Sequence, residues 1–175
     1  MSYRLTLALL AVLAVAVGAV YLLDGADQPA PHVQDPFFYD VLAESISTVE
    51  ITHRSAKQAF LWSPDRGAWV FDEPSQPLVY SERWGGVPLL LSGPTVNRIL
   101  TESAEDVGRY LLDEPPTTIR VGLDDGESIV IWLGAETPDR RNYYAMREGS
   151  SQIVLIDHLW GDVLIELATN PPYEP

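Results

Sequence analysis

The residues of this chain that could carry chemistry are three histidines, a large set of carboxylates and five tryptophans. A metal held by imidazoles needs its ligands brought together, commonly as H-x-x-x-H on one helix face. His32, His53 and His158 have no such spacing. Glu102, Glu105 and Asp106 are close in sequence, but carboxylates at the end of a helical pattern read as a solvated face. The pair Asp124-Asp125 needs no calcium to explain it, because an EF-hand loop would require further oxygen ligands at set positions, and these are missing. Cysteine is absent, which rules out thiol nucleophiles, thiolate metal sites, iron–sulfur clusters and disulfides. There is no G-x-S-x-G elbow and no glycine loop to cradle phosphate. The expectation is a non-catalytic protein with no metal and no cofactor.

What remains is recognition. Trp62, Trp69, Trp132 and Trp160 fall on strand or helix patterns and are expected in the core. Trp84 differs, since it opens the breaker-rich apolar run WGGVPLLL, and apolar anchors of this kind suit interface cores. The candidate partner contacts are therefore Trp84, Val87, Leu89 and Leu90, together with Phe37 and Phe38 just past a proline-rich stretch.

These residues all follow an apolar run at 5–23, which carries no charge over 19 residues. As a helix it is roughly 28 Å long, about the thickness of a bilayer's hydrocarbon core. A signal peptide would be shorter, more basic at its start and followed by a small-residue cleavage site. Here Arg4 is the only basic residue ahead of the run, and the small-x-small triplets fall inside it, so a retained anchor is expected. Arg4 precedes the run, whereas Asp24, Asp27 and Asp35 follow it. Positive charge stays inside, which predicts a cytoplasmic start at 1–4 and a periplasmic or extracellular main domain. Ala11, Ala14 and Gly18 make one stripe of this helix slim, a candidate surface for packing on neighbouring helices.

Residues 24–36 contain Pro29, Pro31 and Pro36 and read as a semi-rigid spacer. A domain is expected at 37–170, with a short tail at 171–175. Its hydrophobic content, 46% over the whole chain, is ample for a core. The chain has 25 Asp plus Glu against 11 Lys plus Arg, a formal net charge of −14. Such a surface repels phosphate backbones and anionic headgroups, which argues against nucleic acid as a partner and would suit a basic extracytoplasmic protein.

Within the domain, period-two alternation and turn residues predict strands near 48–53, 58–63 and 68–72. A helix is predicted from the Ser92 cap to Gly108, with Val96, Ile99, Leu100 and Ala104 on one side. Asp124-Asp125-Gly126 joins strands at 117–123 and 128–133. A second hairpin pairs 142–147 with 152–156, and Asp157 caps a last helix with Leu159, Trp160, Val163, Leu164 and Leu167 inward. The fold class is α+β: one transmembrane helix, then a mostly antiparallel sheet with two main packed helices, in two sheet-then-helix halves.

The run AEDVGRYLLDEPPTTIRVGLDDG from Ala104, then Ile131-Trp132-Leu133-Gly134-Ala135-Glu136-Thr137-Pro138 and Tyr143-Tyr144-Ala145, resembles an uncharacterised domain-of-unknown-function family of membrane-anchored extracytoplasmic proteins. Members often accompany ABC-type transport systems of the gliding-motility kind. A Tyr-Gly-Leu-Asp-x-Pro turn is usual there; in this chain Leu111 stands at the glycine. The resemblance implies location and architecture and brings no catalytic residues. The function expected is a non-catalytic accessory or assembly subunit of a larger membrane complex, either a transporter or an electron-transfer complex. A free tethered receptor for a cation or glycan is the alternative, and a hydrolase the least supported reading.

Overall fold

The structure, a computed structural model, describes residues 37–101 and 106–175. The predicted span at 5–23, its Ala11, Ala14 and Gly18 stripe, the spacer at 24–36, His32, and Glu102 and Glu105 lie outside the described residues. Among the described residues no helix is long and apolar enough to cross a membrane.

Alternating residues and tight turns generate most of the domain. Strand β1 (Ile46–His53) buries Ile46, Val49 and Ile51 and leaves the residues between them part-exposed, as a pleat with one core side requires. It is followed by β2 (Ala56–Ser63) and β3 (Ala68–Phe71), then by two short helices, α1 (Ser81–Trp84) and α2 (Val87–Leu91). The chain continues through β4 (Val96–Thr101), β5 (Thr117–Leu123), β6 (Ser128–Glu136), β7 (Asn142–Arg147) and β8 (Ile153–Asp157) to a longer helix, α3 (His158–Thr169). The eight strands form one sheet in the order β3-β2-β1-β5-β6-β7-β8-β4, every pair antiparallel. This is an α+β domain, mostly antiparallel sheet with a few short helices.

Residues directly opposite across the ladder share a face. The row Phe60, Val49, Val121, Ile129 points to the main core. The neighbouring row Ala59, Glu50, Arg120, Val130 points the other way, and there Lys57 meets Glu50 at 2.9 Å. Helix α3 lies against β1 and β2 as well as β7 and β8, strands from both flanks of the order, so the twisted sheet curls around it. On the opposite face Leu112, Met146 and Ile153 form a smaller cluster, covered by the 3₁₀ turn Val107–Tyr110.

Over the described residues 92–101 the expected helix is not formed. Residues Val96–Thr101 are β4, paired with β8 at the far edge of the sheet. Its register slips twice, between Val96 and Arg98 and between Ile99 and Thr101. Each bulge adds a residue, so the core-side positions Val96 and Ile99 fall three apart and imitate a helical period. Ser92 does not cap a following helix; its hydroxyl donates back to the Leu89 carbonyl at 2.8 Å, closing α2. Among the described residues there is therefore one main packed helix, α3, against an expectation of two.

Candidate functional site

The segment that reads as full of breakers is built from two helical turns with opposite fates. In α1 the Trp84 amide donates to the Tyr80 carbonyl, and the indole lies 4.4 Å from the Phe60 ring and 5.1 Å from Trp69. Arg83 holds the chain end over this turn by donating to the Asn170 carbonyl at 2.8 Å. Trp84 is only 5% exposed. It is a core residue, as are Val87 and Phe38, and these three cannot serve as surface contacts of the folded domain. The reason is geometric: a four-residue helix suffices to turn a large ring onto the β2–β3 hairpin, and the two glycines after it let the chain reverse, Gly86 at φ +85°.

Leu89 emerges on the other side of α2 and is 71% exposed. Leu90, Pro94, Ile156 and Trp160 lie beside it around an open groove of about 530 Å³. The Trp160 indole donates to the Leu90 carbonyl at 2.9 Å, tying α3 to α2 along the floor. Ile156 pairs with Val96 beneath. Asp157, at the mouth, accepts from the Leu159 amide at 2.8 Å and so caps α3 as the sequence predicts. Phe37 pairs with Thr95 of the same lining and is half-exposed. Of the six predicted contacts, then, Leu89, Leu90 and Phe37 are at or beside the groove.

The sequence pattern places Leu159 and Val163 inward, but they are 63% and 43% exposed, and Leu159 lines the opposite wall of the groove. The buried arc of α3 is Trp160, Gly161, Leu164, Leu167 and Ala168. Gly161 sets that rotation, because a Cβ there would stand 2.6 Å from the Tyr143 ring. The usable signal was the small residues at 161 and 168, which mark where a helix approaches its sheet most closely. Trp62 also differs from expectation: it is exposed at the flank of the sheet, edge-on to Trp69.

The groove is poor in groups for bond chemistry, since its only ionisable lining residue is Asp157. Elsewhere, His53 shares a 2.8 Å hydrogen bond with Thr117, and burial with the nearby Arg54 charge lowers its pKa. The Tyr143 hydroxyl donates to Asp162 at 2.8 Å, and burial followed by that carboxylate raises its pKa above the usual phenol range. Asp125 accepts from the Glu127 amide within its turn. Among the described residues no three His, Asp or Glu side chains are grouped to hold a metal ion.

The described residues thus define a mostly antiparallel α+β domain with an apolar groove between two helices. Residues 90–169 match the family model described as a domain of unknown function, DUF4340, so the resemblance to an uncharacterised domain family holds over this part of the chain. The match runs from Leu90 through α3 and takes in most of both groove walls. No curated protein and no solved structure matches the chain. At the position where glycine is usual in the resembling turn, Leu111 holds a left-handed backbone, φ +56°.

Proposed function

We propose that this protein is a non-catalytic, single-span accessory or assembly subunit of a larger membrane complex, of the transporter or electron-transfer kind, and that the groove is where its extracytoplasmic domain docks on another subunit. The observation that carries this is the placement of Leu89 and Leu159 in water at the rim of an apolar groove. Apolar side chains grouped in this way mark an interaction surface more often than singly scattered ones. The groove also adjoins the point where the chain enters the domain. The Phe38 amide donates to the Pro94 carbonyl at 2.9 Å, and Phe37 pairs with Thr95.

Purification of the full chain from its native membrane in mild detergent tests the reading. We expect stoichiometric membrane-protein partners that are lost in a Leu89→Asp, Leu159→Asp double variant whose expression and far-ultraviolet dichroism are unchanged. A chain that purifies alone, or one whose partners ignore both substitutions, overturns it.

A further inference from the structure

We infer that the surface formed by Phe71, Glu73, Tyr80 and Arg83 is a docking site for a short Pro-Pro-Tyr segment. In this structure the chain fills it with its own residues 170–173, and a segment of the same chemistry in another protein takes their place when they leave. None of the groove residues takes part, so this site is separate from the docking reading above and goes beyond it.

Helix α3 is complete without the tail. The Asn170 amide donates to the Glu166 carbonyl, and Asn170 itself has left the helical region, at φ −138° and ψ 71°. Past that point the tail offers acceptors and the segment around α1 supplies donors. Arg83 donates to the Asn170 carbonyl at 2.8 Å and to the Pro171 carbonyl at 3.3 Å, and the Tyr80 amide donates to the Pro172 carbonyl at 2.8 Å. Pro171 and Pro172 have no N–H, and the Tyr173 amide is taken up by the Pro171 carbonyl at 2.9 Å. From Asn170 to Tyr173, then, no backbone donor is left over. The side chains add selectivity: Pro172 is buried, and the Tyr173 ring is stacked on Phe71, 4.1 Å between centroids and 12° between planes, with its hydroxyl donating to Glu73. An aromatic face combined with donors to main-chain carbonyls suits a proline-rich segment, which arrives with little backbone freedom to lose.

The tail is exchangeable because it sits on the domain without completing it. Tyr173 is 44% exposed, and its hydrogen bond to Glu73 and those of Arg83 are open to water, so opening replaces them with bonds to water at small net loss. The ring beneath keeps its own packing, Phe71 on Phe60 at 5.3 Å. Three of the contacts hold main-chain carbonyls, which any proline-rich segment presents. Competition within the chain then decides what binds. A directly tethered segment is present at an effective concentration on the order of millimolar. A second copy offers the same residues with no advantage over the tethered ones, and it brings like charge, net −14. The occupant that displaces the tail is therefore a proline–tyrosine segment of a different protein.

The test uses the full chain in phosphatidylcholine nanodiscs and the synthetic peptide Asn-Pro-Pro-Tyr-Glu-Pro, with 3-fluorotyrosine as its tyrosine so that the fluorine resonance moves when the ring stacks. The site is opened by Pro172→Gly together with Tyr173→Ser, and hydrogen exchange at the Tyr80 amide reports the opening. We expect that amide to lose protection at unchanged far-ultraviolet dichroism, and the peptide to bind the opened chain saturably and at least about tenfold more tightly than it binds the parent. Arg83→Gln and Glu73→Gln in the opened chain should each weaken binding at least about fivefold. Loss of the fold on opening, or a Tyr80 amide that stays protected, overturns the inference, because the tail is then part of the core or is held by other groups. An opened chain that ignores the peptide overturns it too, as does equal binding by parent and opened chains or indifference to both Arg83→Gln and Glu73→Gln. A complex between opened and parent chains mixed without peptide assigns the site to a second copy and overturns a foreign partner. The groove reading stands or falls separately, on partners that depend on Leu89 and Leu159.

Discussion

Two short segments cover the two faces of the sheet, and they do so at different cost. Residues 81–91 lay Trp84 onto the main core, while residues 107–112 lay Leu112 onto the smaller cluster with Met146 and Ile153. Both segments need one residue in the left-handed region to turn the chain. The first uses Gly86 at φ +85°, where no side chain is present to object, and the second uses Leu111 at φ +56°. The first also has a second turn, α2, that carries Leu89 back out to water; the second ends at its anchor. A cover that only closes a core needs one anchor and a turn. The turn 87–91 buries Val87 and Leu91 but also carries Leu89 into water, which closing the core does not require, and this is why the groove beside it is the better functional candidate of the two.

The comparison is broken most forcefully at Trp84. Its ring is packed between Phe60 and Trp69, so Trp84→Ala should lower stability by about 3–5 kcal/mol, as truncation of a buried aromatic does. Trp84→Phe should lose much less, because it keeps a ring and removes an indole N–H that finds no acceptor among the described residues. Urea unfolding followed by far-ultraviolet dichroism measures both. An alanine variant as stable as the parent would return Trp84 to the surface.

How much of this was legible in the sequence depended on whether one period ruled a segment. Strand β5 alternates buried with more exposed residues from Thr117 to Val121 and β1 does so from Val49 to Ile51, and Asp124-Asp125-Gly126 turns with Gly126 at φ +90° as the dipeptide suggests. The cap at Asp157 was equally readable, because a carboxylate ahead of an apolar-periodic run has one economical use. Strand β4 was not, because two bulges replaced its period of two by a spacing of three. The rotation of α3 was hidden for another reason: Gly161 and Ala168 face the sheet, and neither carries hydrophobic weight in a pattern search. The groove follows from both misreadings. It is bounded by the residues just before β4 and by the face of α3 that looked inward, so only the fold brings Pro94 and Leu159 together.

A smaller effect isolates the left-handed link in the first segment. A Cβ added at Gly86 meets nothing within 4 Å, so Gly86→Ala tests the backbone alone. A side chain in the left-handed region costs roughly 1–2 kcal/mol, partly offset by the smaller conformational freedom of the unfolded alanine chain. A net loss near 1 kcal/mol is expected. The groove offers an internal check, since Gly86 also borders it: the Trp160 indole resonance should move in Gly86→Ala if the turn relaxes. A variant of unchanged stability would mean that the link from α1 to α2 bends elsewhere.

The smallest effect has the opposite sign and lies in the second segment. Leu111 is half-exposed and adds little to the cluster, in contrast to its neighbour Leu112, which is buried. Its amide donates to the Gly108 carbonyl and the Leu112 amide to the Val107 carbonyl, so the turn is held closed in a conformation that leucine resists. Leu111→Gly removes the steric cost of about 1–2 kcal/mol and restores roughly 0.4–1 kcal/mol of unfolded-state freedom that folding must then overcome. The difference leaves a gain of about 0.5–1 kcal/mol, visible as a rise in the urea midpoint at unchanged slope. Because the bonds to Val107 and Gly108 are made by backbone, the substitution leaves them in place. A lower midpoint would show that the Leu111 side chain contributes more packing than its exposure suggests, and that the two covers are alike in strength although their turn residues differ.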